Sequence, residues 1–383
     1  MTIKKNGQNS GNLINSLGVQ SQVLARNGKS TLLLLEIEPD LDRGIYPFKD
    51  IKLSRADIEW LLSTHDNNRG PVDWNDERQR EREGLDLRGA DLRGVDLHGL
   101  PLARIIAGPR FIQINEERYE EAKIHLEGAD LYNAHLEGAR LRSAYLEKAR
   151  LFSAHLGEAD LSSAHLEGAD LGAAHLEGAH LDEAFLKGAE LVAAHLEGVL
   201  LAFAHLEGAD LSGVFFDRET NLEGLLLSNN ENVTASLSDI LWGDVNVALV
   251  DWSTISTLGD ENEAKDNKSA YGYGQAERAY RQLSVVLRNQ GLNEDASRFA
   301  YRAQLMQRKV FWYKRKYLWG KMRDADMECK VATRPFQHRL LLFAMPMASR
   351  LHFFRLSATL THGRKVRAEN TFCPESGERG LGS

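Results

Sequence analysis

Seven histidines recur at multiples of ten residues: His125, His135, His155, His165, His175, His195 and His205, with Tyr145 and Phe185 in the two vacant slots. Imidazole titrates near neutral pH and is the commonest nitrogen ligand for transition metals. Several of these histidines have a glutamate two residues on (Glu137, Glu177, Glu197), which puts nitrogen and oxygen donors on one wall. Three chemistries compete. The donors suit zinc or nickel. Stacked imidazoles would repel once protonated, which would make a pH switch. The third reading is surface decoration by copies of one ten-residue unit, and the sequence favours it. His135, His155, His175 and His195 are then a candidate surface ladder, and no metal-binding, cofactor-binding or catalytic residue is assigned. Asp130, Asp170 and Asp210 would act as acid catalysts only inside a concave site that shifts their pKa. Turn hydrogen bonding explains them better. The chain carries no phosphate loop, zinc finger, nucleophile elbow or dinucleotide fingerprint, so no enzyme and no cofactor are expected.

What must position these side chains is a backbone with a five-residue period. An apolar residue stands at Leu126, Leu131, Leu136, Leu141, Leu146, Leu151, Leu156, Leu161, Leu166, Leu171, Leu176, Leu181, Leu186, Leu191, Leu196, Leu201, Leu206, Leu211 and Phe216. Two residues before nearly every one sits a small apolar residue, usually alanine. On an α-helix a five-residue step turns a side chain by about 140°, which scatters the leucines around the cylinder. On a flat strand Ala-x-Leu shares a face, but the next inward residue falls at the wrong parity. The chain must turn a corner once per five residues. Four such sides close a square coil of twenty residues, and successive coils stack about 4.8 Å apart through backbone hydrogen bonds. Histidines ten apart then alternate between two opposite faces.

Ala129-Asp130-Leu131, Ala159-Asp160-Leu161, Ala169-Asp170-Leu171 and Ala209-Asp210-Leu211 resemble the units of the pentapeptide-repeat family. The resemblance implies an all-β solenoid, a right-handed quadrilateral parallel β-helix. Two flanking stretches, 50–74 and 279–310, are similar to those of a bacterial subgroup with a C-terminal helical pair. Members of that subgroup often continue into a two-helix, channel-like membrane segment, which is missing here.

The remaining segments divide as follows. Residues 1–28 read as a disordered tail, and 29–83 as a small α/β capping region. Within that region Leu32–Ile37 is expected as a strand, and a helix is expected from the Ser54-x-x-Asp57 capping box to about His65. The β-helix occupies 84–257, with an early tract at Leu87, Leu92, Leu97 and Leu102 and an insertion at 103–123. After Phe216 the frame slips by one and resumes at Leu222, with a break at Asn232. The inward Trp242 and Trp252 are expected to plug the bore. Residues 258–275 read as a linker, 276–322 as a basic helical hairpin and 323–383 as a poorly structured tail.

Charge is strongly partitioned. Residues 123–216 hold fifteen acids against six Lys/Arg, a net of −9, whereas 276–323 hold twelve Lys/Arg against three acids, a net of +9. Two cysteines, Cys329 and Cys373, make no disulfide framework, so a cytoplasmic location is expected. Leu340–Ala348, the most apolar part of the tail, is too short to span a bilayer. The basic 308–321 helix interleaves Phe311, Trp312, Tyr313, Tyr317 and Trp319 with its charges. A membrane surface suits it better than nucleic acid. The favoured function is a non-enzymatic scaffold for an unidentified protein partner. The alternatives are a DNA-mimic binder of a topoisomerase such as gyrase, and the cytosolic part of a membrane channel or sensor lacking its pore.

Overall fold

Backbone pairing within the repeats is a ladder of single parallel bridges. Each joins a residue to its equivalent twenty positions on: His125 to Tyr145, Asp130 to Arg150, His135 to His155, Arg140 to Asp160. The computed structural model describes residues 22–26, 29–33, 46, 48, 49, 51–109, 116–229, 231 and 233–332. One bridged residue per side, and no longer strand, follows from the corner in every unit. The residue two after each leucine turns left-handed, as at Gly128 (φ +65°), Asn133 (φ +52°) and Gly138 (φ +61°). Each bridged residue makes both its backbone hydrogen bonds to the coil before it; His155 N–H donates to Ala134 C=O at 2.9 Å, and its C=O accepts from Leu136 N–H at 2.7 Å. The core is the line of inward alanines and leucines. All nineteen apolar residues from Leu126 to Phe216 are buried, Leu151 and Leu171 included.

The early tract extends further than its leucines indicate. Asp86 bridges Ile106 at the regular offset of twenty. Ile105 and Ala107 take the two inward positions with large and small exchanged, and both are buried. The excursion therefore begins after Ala107 rather than at 103. It carries a short helix, labelled α2 (Glu116–Glu121). Beyond it Asp91 pairs with His125. The one-residue slip after Phe216 is repaired by side chains. Gly198 N–H donates to Asp217 Oδ1 (2.9 Å) and Thr220 Oγ1 donates to Leu196 C=O (2.9 Å). Burial raises the Asp217 carboxyl, but the backbone donors of Gly198, Glu219 and Thr220 outweigh it and hold the group below the ordinary carboxylate range. Asn232 lies outside the described residues. Among the described residues near it, Ser228 pairs antiparallel with Thr234.

At the N-terminal side, β1 (Gln22–Arg26) pairs antiparallel with β2 (Lys29–Leu33). Part of the expected tail is thus a strand. The Asn27-Gly28 dipeptide between the two is the sequence signature of a two-residue hairpin. The second strand ends at Leu33, and Ile37 lies outside the described residues. Helix α1 (Arg55–Asn68) starts at the Ser54 capping box, where Asp57 N–H donates to Ser54 Oγ and Ser54 N–H to Asp57 Oδ2. It buries Ile58, Leu61 and Leu62. Leu53 N–H reaches Asp91 C=O (3.1 Å), so this segment continues the ladder and closes the first coil.

The expected linker at 258–275 is instead helical, with α3 (Gly259–Asn267) followed by α4 from Ala270 to Asn289. Its polar composition reflects acids that satisfy the coil end rather than water. Asp260 Oδ2 accepts from Leu237 N–H (2.7 Å), and burial raises that carboxyl to about 6 despite the hydrogen bonds it accepts. Glu261 accepts from Tyr280 and pairs with Arg302 (3.0 Å). Gln290, the residue after α4, donates to Val245 C=O (2.6 Å) and accepts from Val247 N–H (2.9 Å). Its amide thus stands in for the next coil's backbone. The aromatic series Phe216, Trp242, Trp252, Phe299 runs from the bore into α5 (Asn293–Ala332), with centroids 5.9 to 6.3 Å apart. That helix continues past 322 through Ala332, well into the segment expected to lack structure. The chain forms two compact units, 1–320 and 321–383, and of the second only 321–332 are described. The rest of the expected tail and both ends of Leu340–Ala348 lie outside the described residues.

Candidate functional site

Each repeat histidine sits between two inward residues, as in Ala134-His135-Leu136, so backbone alternation turns its ring outward. The parallel bridges then stack the rings. His135, His155, His175 and His195 form one column, with centroid separations of 4.6, 5.1 and 4.8 Å and interplanar angles of 4°, 3° and 6°. Phe215 extends the column 4.6 Å beyond His195. A second column stacks His125, Tyr145, His165, Phe185 and His205 at 4.9 to 5.1 Å.

The glutamates two residues on fix the rings. Nδ1 lies 2.9 Å from Oε1 in the His125–Glu127 pair, 3.0 Å in His135–Glu137, 3.1 Å in His175–Glu177, 3.3 Å in His205–Glu207 and 3.5 Å in His195–Glu197. His155 is followed by Gly157 and has no such partner. Burial, and then the neighbouring rings of His135 and His175, hold its pKa below the usual imidazole value, while Glu137 and Glu177 oppose them. The second oxygens of Glu127, Glu137, Glu147, Glu167, Glu197 and Glu207 are buried without a hydrogen-bond partner.

Three groups of donors come close enough together to ligate an ion: His135, Glu137 and His155; His175, Glu177 and His195; Glu147, His165 and Glu167. In each, the donor atoms lie within 4.8 Å of one another. The first differs from the other two. Trp74 packs against Gly138, where an added Cβ would lie 2.8 Å from Cζ3. Glu137 beside it is 9% exposed. A cavity of about 200 Å³ opens beside it, lined by Pro71, Val72, Asp73, Trp74, Asn75, Pro101, Ala103, His135 and Glu137. This wall was not foreseeable, because the segment around Trp74 shares no periodicity with the repeats beside it.

The aspartates serve the turns. Asp130, Asp170 and Asp210 accept backbone N–H bonds from Tyr132, Gly172 and Ser212 at 2.9 to 3.1 Å. They share a column with Arg150 and Glu190, and Arg150 pairs with Asp130 at 2.7 Å. Beside that column stand exposed apolar groups: Tyr132, Phe152 and Val192, the first two stacked at 6.0 Å. Phe152 lies over Gly172, which leaves room for the ring. On α5, Phe311, Trp312, Tyr317 and Trp319 are exposed, with Lys316 over the Trp312 ring (5.2 Å) and Arg315 over Trp319 (5.8 Å). Among the described residues no helix is long and apolar enough to cross a membrane.

A family model for pentapeptide repeats, in eight copies, matches residues 123–157 and 159–198. The chain is 32% identical to Rfr23, a pentapeptide repeat protein from the cyanobacterium Cyanothece 51142, over 34% of its own length and 90% of that chain (TM-score 0.20). The chain belongs to the pentapeptide-repeat family. It is also 37% identical to alr5209, a pentapeptide repeat protein from Nostoc Pcc 7120, over 23% of its own length and 72% of that chain (TM-score 0.23). With full-length QnrB1, a plasmid-mediated fluoroquinolone resistance protein, it shares 19% identity over 43% of its own length and 76% of that chain (TM-score 0.22). No curated protein matches. In this pentapeptide-repeat protein the family model covers the wall that carries most of the histidines and leaves the helical segments outside it.

Proposed function

We propose that this pentapeptide-repeat protein is a non-catalytic scaffold that binds a protein partner through one flat face of its coil. The observation that carries this reading is the column of Tyr132, Phe152 and Val192, exposed beside the charged column of Asp130, Arg150, Asp170 and Glu190. Water-exposed aromatic groups bordered by charge are the composition of a binding patch, because aromatic anchors supply most of the energy and the charged rim supplies register. The bore offers no competing site, since inward alanine and leucine fill it. The ladder holds this face rigid, so little conformational freedom is lost on binding.

The DNA-mimic reading has less support. Arg150 pairs with Asp130, and Arg142 with Asp160 (3.2 Å), so basic groups neutralise carboxylates within the acidic wall itself. The pore-less channel reading rests on the subgroup resemblance alone. In the test, the untagged protein and the double variant Tyr132→Glu, Phe152→Glu are compared, with a partner captured by cross-linking and its affinity then measured. The expected result is at least about a tenfold loss of affinity in the variant. A partner bound equally well by both proteins would exclude this face.

A further inference from the structure

We propose that His135, Glu137 and His155 form a binding site for one borderline divalent transition-metal ion, of the zinc, cobalt or nickel class. Two imidazole nitrogens and one carboxylate oxygen are the donor set such ions favour, and their donor atoms lie within 4.8 Å of one another.

A second observation, independent of that clustering, points to a cation. Glu137 is 91% buried, its Oε1 is held by His135 Nδ1 at 3.0 Å, and its Oε2 is buried with no partner. A buried carboxylate oxygen left unpaired is costly, and an adjacent positive charge is what removes the cost. His135 meets Glu137 through Nδ1, so an ion shared by the two replaces that hydrogen bond and takes Nδ1 together with a Glu137 oxygen. His155, with Gly157 in place of a glutamate, has no carboxylate of its own competing for its ring.

The equivalent group one step along the column, His175, Glu177 and His195, lacks this feature, because the Glu177 side chain is 45% exposed and water reaches it. Trp74 walls a cavity that adjoins the first group. The cavity beside His135 and Glu137 gives an ion a route in and leaves room for a water at the fourth position, with Asp73 on its lining. The rings of His135 and His155 are parallel within 4° at 4.6 Å, so their in-plane lone pairs run side by side. Bringing both onto one ion takes a counter-rotation about χ2, a broad torsion in histidine.

The test titrates cobalt(II), and in parallel zinc, into the untagged full chain near neutral pH. The expected outcome is one ion per chain with the intense visible bands of four-coordinate cobalt. Glu137→Gln should weaken binding at least about tenfold. His135→Phe and His155→Phe should abolish it. Both should keep the metal-free unfolding midpoint, because Phe185 and Phe215 already occupy equivalent places in the two columns. His205→Phe, on the opposite column, should leave the titration unchanged. Three results would overturn the proposal: no ion bound at free metal of about 100 µM; titrations unaffected by Glu137→Gln and His155→Phe; or a thiolate-to-cobalt charge-transfer band, which would place the ion on Cys329 or Cys373.

Discussion

His155 is the residue in which the geometry of the repeat changes chemistry most directly. Its ring lies between two other imidazoles at 4.6 and 5.1 Å, and it is partly buried and lacks a glutamate of its own. Burial and the flanking rings disfavour its protonated form, so its folded pKa lies below the ordinary 6.5. The sign of the linkage follows. Above pH 6.5 the ring is neutral in both folded and unfolded chains, and its contribution is complete. As pH falls from 6.5 through the lower folded value, the unfolded chain takes up the proton first and stability is lost. Urea midpoints of the metal-free protein at about pH 7.5 and about pH 5.5 should show a smaller acid loss in His155→Phe than in the natural chain. Equal losses would mean that the stack does not disfavour the charged ring. This spacing of histidines was plain in the sequence. The cavity beside Glu137 was not, because Trp74, sixty-three residues earlier, helps to line it.

The elements that matter most to the fold are those that close the coil. A parallel ladder ends in a row of free N–H and C=O groups, and an uncovered edge recruits other strands. Here the closing groups are side chains as much as backbone. Gln290 donates to Val245 and accepts from Val247, Asp260 accepts from Leu237, and Gly259 N–H reaches Ala235 C=O at 2.9 Å. Gln290→Leu keeps the approximate volume but leaves a donor and an acceptor unmatched at a partly buried position. A loss of about 2–3 kcal/mol is expected in urea unfolding, with a value under about 0.5 kcal/mol arguing against this role. The helix carrying Gly259 and Asp260 was unreadable in advance for the same reason. In Gly259–Asn267 the acids that suggest solvent are turned onto the coil, and Asp260, Glu261 and Ala264 are buried.

At the scale of the molecule, a solenoid holds together by contacts between neighbouring coils, so its ends decide whether it stays monomeric. The aromatic series from Phe216 to Phe299 and the core shared with Tyr280, Leu283 and Leu287 make α3, α4 and α5 one structure with the last coils. A chain stopped after residue 257 would expose Trp242, Trp252 and the open ladder together. Light scattering at micromolar concentration should show self-association of that fragment where the full chain shows less. A monomeric, cooperatively folded fragment would assign the helices a role other than capping. Phe311, Trp312, Tyr317 and Trp319 of α5 face solvent beyond this closure.

Local order in this protein was written into the residues themselves. A five-residue period admits a single backbone solution in which alanine and leucine point inward, so the coil, its core and the outward histidine columns could all be read from spacing. The outline of the early tract was less clear, because Ile105 and Ala107 exchange the usual large and small positions while filling the same volume. Closure and site chemistry were decided only in three dimensions. Gln290 and Asp260 act on backbone groups of the coil end, and Trp74 lines the cavity beside Glu137. Such contacts join residues unrelated by period. Their energy depends on burial, which a sequence does not carry until the chain has folded.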